Sequence, residues 1–446
     1  MIRKRTEPAC LFEPRHAFRD SRTLARSPIT AALMNDSTPS ATGRNRFGLG
    51  PGILVTAAFI GPGTVVTASR VGTQHGCELL WTVLFAVIGT ILLQSMAARL
   101  GILTGTGLSE AIRENLRESR WLRPIMLLTI VAIGFGNAAY QTGNLTGAVV
   151  GVSALFGGSS LAWNLAIGTF ATLVIVSGRD RLLQSVLMVL VFALSAAFLF
   201  TAATHMPSLQ RVASGLLIPK ITSENLTLVL GMIGTTIVPY NLFLHASRSA
   251  ATWKATPPQE AIRQSNWDTG LSISLGGLVT ASILLTACVG FHDRGSNWET
   301  PEQIANGLGP VLGPLSGHAF AMGMFCAGLT SAVTAPLATS YAVCGCMGWP
   351  ANPSSRPFRV IAVSVIVIGV TAVLVLNGSP AATIIIAQVA NGMLLPIVAA
   401  VMLIVVRRSS PSTSRSLSPW ATTISWIVVA FVTSLGLWRI YSALPF

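Results

Sequence analysis

Ala58-Phe59-Ile60-Gly61-Pro62-Gly63-Thr64 and Thr235-Thr236-Ile237-Val238-Pro239-Tyr240-Asn241 are two apolar stretches, each with a proline at its centre. Proline lacks a backbone donor and clashes with the preceding turn, so each stretch predicts a helix broken at Pro62 or Pro239. In hydrocarbon, main-chain groups freed in this way persist only where protein buries them or a watery cavity receives them. A matched pair of breaks, one in each half of a membrane chain, marks a transporter's substrate site near the midplane. Pro62, Gly63, Pro239, Tyr240 and Asn241 are therefore read as the helix breaks.

The rest of the chain supports a membrane setting. Apolar residues make up 51% of 446 positions, charged residues 10%, and mean hydropathy is +0.65. Stretches long enough to cross roughly 30 Å of hydrocarbon recur throughout. Eleven spans are expected, at about 50–71, 79–103, 124–148, 160–177, 183–205, 226–246, 270–291, 315–343, 358–377, 380–406 and 420–442. The chain reads as an all-α polytopic membrane protein whose first and sixth spans are broken. The transmembrane domain is expected at 49–443, with repeats at about 50–205 and 226–406 and an extra helix at 420–442.

Five spans per half make the second half enter the membrane from the opposite side, which defines an inverted repeat. Charge sets the orientation. With the N-terminus inside, inner segments carry 23 Lys and Arg and outer segments only Arg211, Lys220, Arg294 and Arg439. That bias places the N-terminus in the cytoplasm and the C-terminus outside, in the cell's inner or plasma membrane. The +14 net charge is thus a topology signal and no nucleic-acid footprint, which would cluster bases with aromatics on a soluble domain. Residues 1–48 are basic and rich in Ser, Thr and Pro. They read as a disordered cytoplasmic tail resting on anionic headgroups, or as sequence ahead of a start near Met34.

Enzymatic chemistry is not indicated. No phosphate loop, HExxH or GxSxG motif occurs, and Cys10, Cys77, Cys288, Cys326, Cys344 and Cys346 lack zinc-site spacing. No cofactor is called for. The expected partners are a small ion or solute and the lipid bilayer.

Several motifs resemble the Nramp divalent-metal transporters. Gly50-Pro51-Gly52-Ile53-Leu54-Val55, Phe59 to Gly63, Thr67, Gly72, Gln74, Gly76 and Leu80-Trp81 resemble that family's first helix and its exit. Leu92-Leu93-Gln94-Ser95 with Ala98-Arg99-Leu100-Gly101 is similar to its second helix, and Asn241 to Ser247 to its sixth. Ala387-Gln388-Val389 with Leu395-Pro396 resembles its tenth. The resemblance covers roughly residues 48–442 and implies a LeuT-like fold with alternating access.

The resemblance also shows what has changed. The family's first-helix Asp-Pro-Gly-Asn is here Gly61-Pro62-Gly63-Thr64, and its sixth-helix Met-Pro-His-Asn is Val238-Pro239-Tyr240-Asn241. Thr235 stands where the family supplies a backbone carbonyl. The implied substrate-binding set is Gly61, Thr64, Thr235, Val238 and Gln388. It contains no carboxylate or sulfur ligand, although thioethers favour soft transition metals and carboxylates supply charge. Hydrated Mg²⁺ fits such neutral oxygens better than Mn²⁺ or Fe²⁺. The family's third-helix Asp and Glu fall on Gln141 and Asn144, amides that release no proton, while His245 is kept. Intramembrane proton relays are built from carboxylates and histidines, so the usual proton coupling is not expected. The Nramp-related magnesium transporters share the loss of the sixth-helix Met.

The resulting expectation is a divalent-cation transporter. The alternatives are a transporter of a small non-metal solute and a non-transporting sensor that keeps the fold. Several residues have a second reading as structure: Gln388, Gln141 and Asn144 as interhelical hydrogen-bonding groups, and His245 as a satisfied core histidine. Arg70 reads as a residue that snorkels to headgroups or charges the outer vestibule. Asp268 reads as a helix-start or salt-bridge residue.

Overall fold

The structure, a computed structural model, describes residues 50–52, 56, 60–178, 180–376, 379–408 and 419–443. The expected disordered tail at 1–48 lies outside the described residues, as does most of the first half of the first span. Residues 51, 52 and 56 are helical, and the Ile60 N–H donates to the Thr56 carbonyl at 3.1 Å. That turn stops at Gly61, whose extended backbone (φ −115°, ψ −175°) caps helix α1 (Pro62–His75). Pro62 at the first helical position costs nothing there, because that N–H has no intrahelical partner in any helix.

The chain continues through α2 (Leu80–Thr104), the short α3 (Leu108–Asn115), α4 (Leu122–Phe156), α5 (Ser160–Ser177) and α6 (Asp180–Thr204). Helix α7 (Leu209–Leu217) turns away from the preceding helix by 119°. The second break separates α8 (Leu226–Thr236) from α9 (Pro239–Thr252), with Val238 as an extended cap and proline again at the first helical position. Helices α10 (Pro258–Gly290), α11 (Ser316–Met347), α12 (Arg356–Val375), α13 (Pro380–Arg408) and α14 (Pro419–Ala443) complete the long helices, with short helical turns between α10 and α11. Nine helical segments among the described residues are long and apolar enough to cross a membrane, counting Leu226–Thr252 as one. They coincide with nine of the eleven expected spans. The fifth expected span is α6, and the first is described only in part.

The packing carries the inverted repeat. Exchanging spans one to five with six to ten maps the first-with-seventh contact onto the sixth-with-second. Both pairs are extensive here, as α1 against α10 and α9 against α2. The third-with-eighth contact maps onto itself, and α4 against α11 is the largest helix pair. The two breaks therefore lie inside a bundle that the two repeats build together. The outer helices α5, α12 and α14 instead present large apolar side chains outward, among them Phe170, Leu173, Val367 and Ile427, as a lipid boundary requires.

Prolines inside the bundle explain some of its polar contacts. Pro336 lies within α11 and offers no N–H, so the Ala332 carbonyl four residues earlier loses its helical donor. The Gln141 amide on α4 donates to that carbonyl at 3.0 Å. Leaving a buried carbonyl unsatisfied costs about 1–3 kcal/mol. Gln141→Leu is therefore expected to destabilise the protein by about that amount, read as a lower thermal unfolding midpoint in detergent. An unchanged midpoint counts against this role.

Two other expectations are refined. Asp268 forms no ion pair among the described residues; its carboxylate accepts the Gly50 N–H at 2.8 Å and the Gly52 N–H at 2.6 Å. It thus satisfies orphan donors at the start of the first span from a different helix. Arg70 does not snorkel. It is half-buried and lies over the Trp298 ring at 3.8 Å, with Nη1 donating to the Trp298 carbonyl at 3.2 Å. Trp298 Nε1 donates to Thr73 Oγ1 at 3.0 Å, so the connection after α10 is fastened onto the end of α1.

Candidate substrate site at the helix breaks

The two breaks meet through side chains. Thr64 Oγ1 and Thr235 Oγ1 lie 2.8 Å apart, with both residues fully buried. Thr64 sits in the first turn of α1, whose N–H groups point toward the break. Thr235 sits in the last turn of α8, whose carbonyls do. The helix dipoles follow: α1 and α9 start at the breaks and present positive ends, while α8 ends there and presents a negative one.

Gln388 of α13 closes this space from a third side. Its amide is packed so tightly against Gly63 that a side chain there would meet Gln388 Nε2 at 2.1 Å. The backbone on the other side is equally close, because a side chain at Gly234 would strike the Gln388 carbonyl at 2.0 Å. Neither Gln388 Nε2 nor Oε1 has a hydrogen-bond partner among the described residues, although Gln388 is fully buried. Buried amides are normally satisfied. An unpaired one beside two broken helices is a group available to a ligand.

Gly61 and Val238, both buried, cap the two helices. A side chain at Gly61 would lie 3.1 Å from Ser331 Oγ and 3.8 Å from the Tyr140 hydroxyl. Tyr140 and Tyr240 have ring centroids 5.4 Å apart at a 60° tilt, so Tyr240 turns from the second break toward α4. Asn241 is buried, and its Oδ1 and Nδ2 have no partner among the described residues. Ser331 Oγ and Thr67 Oγ1 are likewise buried and unpartnered. The lining is thus made of hydroxyls and amides, and among the described residues no group of three or more His, Cys, Asp or Glu could hold a metal ion.

The proposed former proton path is not one connected chain. Gln141 donates to α11, as above. His245 Nδ1 donates to Gln94 Oε1 of α2 at 2.9 Å, and its Nε2 is buried without a partner. Asn144 is buried on α4 with an unpartnered Nδ2. Gln141 and His245 join different helix pairs, and the three positions form no hydrogen bond with one another among the described residues. Ser331 and Tyr140 were not singled out from sequence. Their only signal is a hydroxyl on an otherwise apolar span, and which face of α4 or α11 meets the break is a tertiary fact.

A polytopic bundle with two broken helices meeting at a buried polar point defines the class: a transporter fold with its site between repeats. Residues 52–442 match the family model of the Natural resistance-associated macrophage protein-like proteins, and the chain belongs to the Nramp family. It is 25% identical over 421 residues to the divalent metal cation transporter MntH of Klebsiella pneumoniae (strain 342), covering 93% of this chain and 99% of that one. A mutant of the Eremococcus coleocola manganese transporter superimposes with a TM-score of 0.72 at 25% identity, over 88% of this chain and 86% of that one. A nucleobase-cation-symport-1 family transporter, MHP1, superimposes with a TM-score of 0.54 at 16% identity, over 87% and 90% of the two chains, a likeness of fold alone. The fold is LeuT-like, as the broken first and sixth spans imply.

Proposed function

We propose that this protein carries divalent metal cations across a membrane, takes Mg²⁺ more readily than Mn²⁺ or Fe²⁺, and does so without the proton coupling usual in its family. Family membership and the names of its relatives support the cation class. One observation carries the finer reading. Where the family has a carboxylate and a thioether, this chain has Gly61 and Val238, leaving the Thr64 and Thr235 hydroxyls and the unpaired Gln388 amide. Mg²⁺ sheds water reluctantly and is held through it by neutral oxygens, whereas a dehydrated transition-metal ion needs charge or sulfur. Gln141 and Asn144 carry no group that ionises near neutral pH, and Gln141 is committed to the carbonyl freed by Pro336. The reading keeps the N-terminus in the cytoplasm and the C-terminus outside, on the distribution of Lys and Arg.

A second reading rests on the helix ends. Two N-terminal dipole ends at one neutral site also suit a small neutral or anionic solute. Proteoliposomes with internal dyes for Mg²⁺, Mn²⁺ and pH separate the cases. The expected result is Mg²⁺ influx with no accompanying acidification. Folded protein that passes neither cation overturns the cation reading and leaves the solute transporter and the non-transporting sensor. Acidification in step with influx overturns the reading of Gln141 and Asn144.

A further inference from the structure

Cys77 and Cys288 are 211 positions apart in sequence, yet their Sγ atoms lie 3.5 Å apart. Cys77 sits in the turn between α1 and α2, and Cys288 sits near the end of α10. Both belong to the end of the bundle that the Lys and Arg distribution places outside the cell, where thiols meet oxidants and disulfides persist.

The surroundings favour exchange chemistry. Cys77 lines a cavity of about 510 Å³, shared with Gln74, His75, Arg211, Lys220 and His292. Cys77 is itself buried, so what reaches it is a small disulfide that enters this cavity. Behind it, Cys288 is fully buried, with Arg211 Nη2 3.6 Å from its Sγ. That guanidinium is shared between the sulfur and the Asp293 carboxylate, whose Oδ1 lies 4.0 Å from Cys288 Sγ. Arg211 is itself fixed by a two-point ion pair with Asp293 at 2.8 and 3.0 Å. Helix α7 covers the pair, and a side chain at Gly215 would strike the Cys77 carbonyl at 2.0 Å. A disulfide's S–S bond is about 2.0 Å, so closure shortens the 3.5 Å separation by about 1.5 Å.

We infer that Cys77 and Cys288 form a disulfide in the assembled membrane protein, tying the turn after the first broken helix to the seventh span. The oxidant is a small exported disulfide that the cavity admits. The Cys77 thiolate attacks one of its sulfurs and expels the first thiolate. The Cys288 thiolate then attacks the Cys77 sulfur of the mixed disulfide and expels the second. Two thiols become one disulfide, the oxidant becomes two thiols, and the protons of Cys77 and Cys288 end on those leaving groups. The inference rests on the proposed orientation.

The test uses the full chain in cells, lysed directly into denaturant containing N-ethylmaleimide, then reduced and labelled with a polyethylene-glycol maleimide. The expected result is two added labels in the wild type and none in Cys77→Ser or Cys288→Ser. In parallel, Ser223→Cys, at an exposed position in the segment before α8, is tested with a membrane-impermeant maleimide on intact cells and is expected to react. No added label in the wild type, with Ser223→Cys reactive, overturns the disulfide while the orientation stands. An unreactive Ser223→Cys with no added label removes the orientation and the disulfide together. Two labels that persist in Cys77→Ser identify a different pair and overturn this one.

Discussion

Replacing Gln388 by leucine is expected to reduce cation flux by more than about tenfold, the equivalent of about 1.4 kcal/mol, while leaving thermal stability unchanged or raised. The two effects have opposite signs for one reason. Gln388 is fully buried with both amide atoms unpaired among the described residues, a state that costs about 1–3 kcal/mol per unsatisfied group. Leucine keeps similar bulk and removes that cost. If the amide is there for a ligand, the same change removes the ligand's contact between Gly63 of the first break and Gly234 of α8. A purely structural Gln388 gives a different pattern, with lower stability and normal flux per folded molecule. Flux in proteoliposomes and the unfolding midpoint of the same preparation decide between them.

The double substitution Gly61→Asp with Val238→Met is expected to raise Mn²⁺ affinity by about tenfold or more, each tenfold being worth about 1.4 kcal/mol. It restores the charge and the thioether that the family's motif carries and this chain lacks. The first change needs a small adjustment by one neighbour. A Cβ at Gly61 would stand 3.1 Å from Ser331 Oγ, a tight contact that a turn of the serine hydroxyl relieves, and 3.8 Å from the Tyr140 hydroxyl. Val238 to methionine lengthens the side chain at a fully buried cap position, an overpacking cost of about 1–3 kcal/mol that the unbranched, flexible methionine chain limits. Titration of Mn²⁺ against wild type and variant reads the effect. A variant that folds but binds Mn²⁺ no better would show that these positions do not face the ion.

What could be read in advance follows from how local each signal is. Pro62 and Pro239 declare their breaks within a few residues, and the apolar runs declare their spans, so the broken bundle follows from the chain alone. The Thr64–Thr235 contact follows almost as directly, because each threonine lies within a turn or so of its break. Gln388 stands out as an amide in an apolar run. Its unpaired state does not, since that depends on what α1 and α8 place around it. Gln141 shows the limit most clearly. The family resemblance suggests a lost proton carrier and the amide itself an interhelical hydrogen bond; the second holds, but its partner is set by Pro336, on another helix nearly two hundred residues away. Arg70 and Trp298 meet only because the connection after α10 folds back over α1, and no periodicity encodes that return. The proline that marks a site is visible in one dimension; the carbonyl that a proline elsewhere leaves unpaired is not.

The central claim is that neutral oxygens at the two breaks select a hydrated hard cation over a transition metal. Mg²⁺ influx into proteoliposomes, measured while Mn²⁺ is added outside, tests it most directly. The account predicts that Mn²⁺ at a small fraction of the Mg²⁺ concentration leaves Mg²⁺ influx unchanged. Complete block of Mg²⁺ influx by such a trace of Mn²⁺, with Mn²⁺ itself entering, would contradict it.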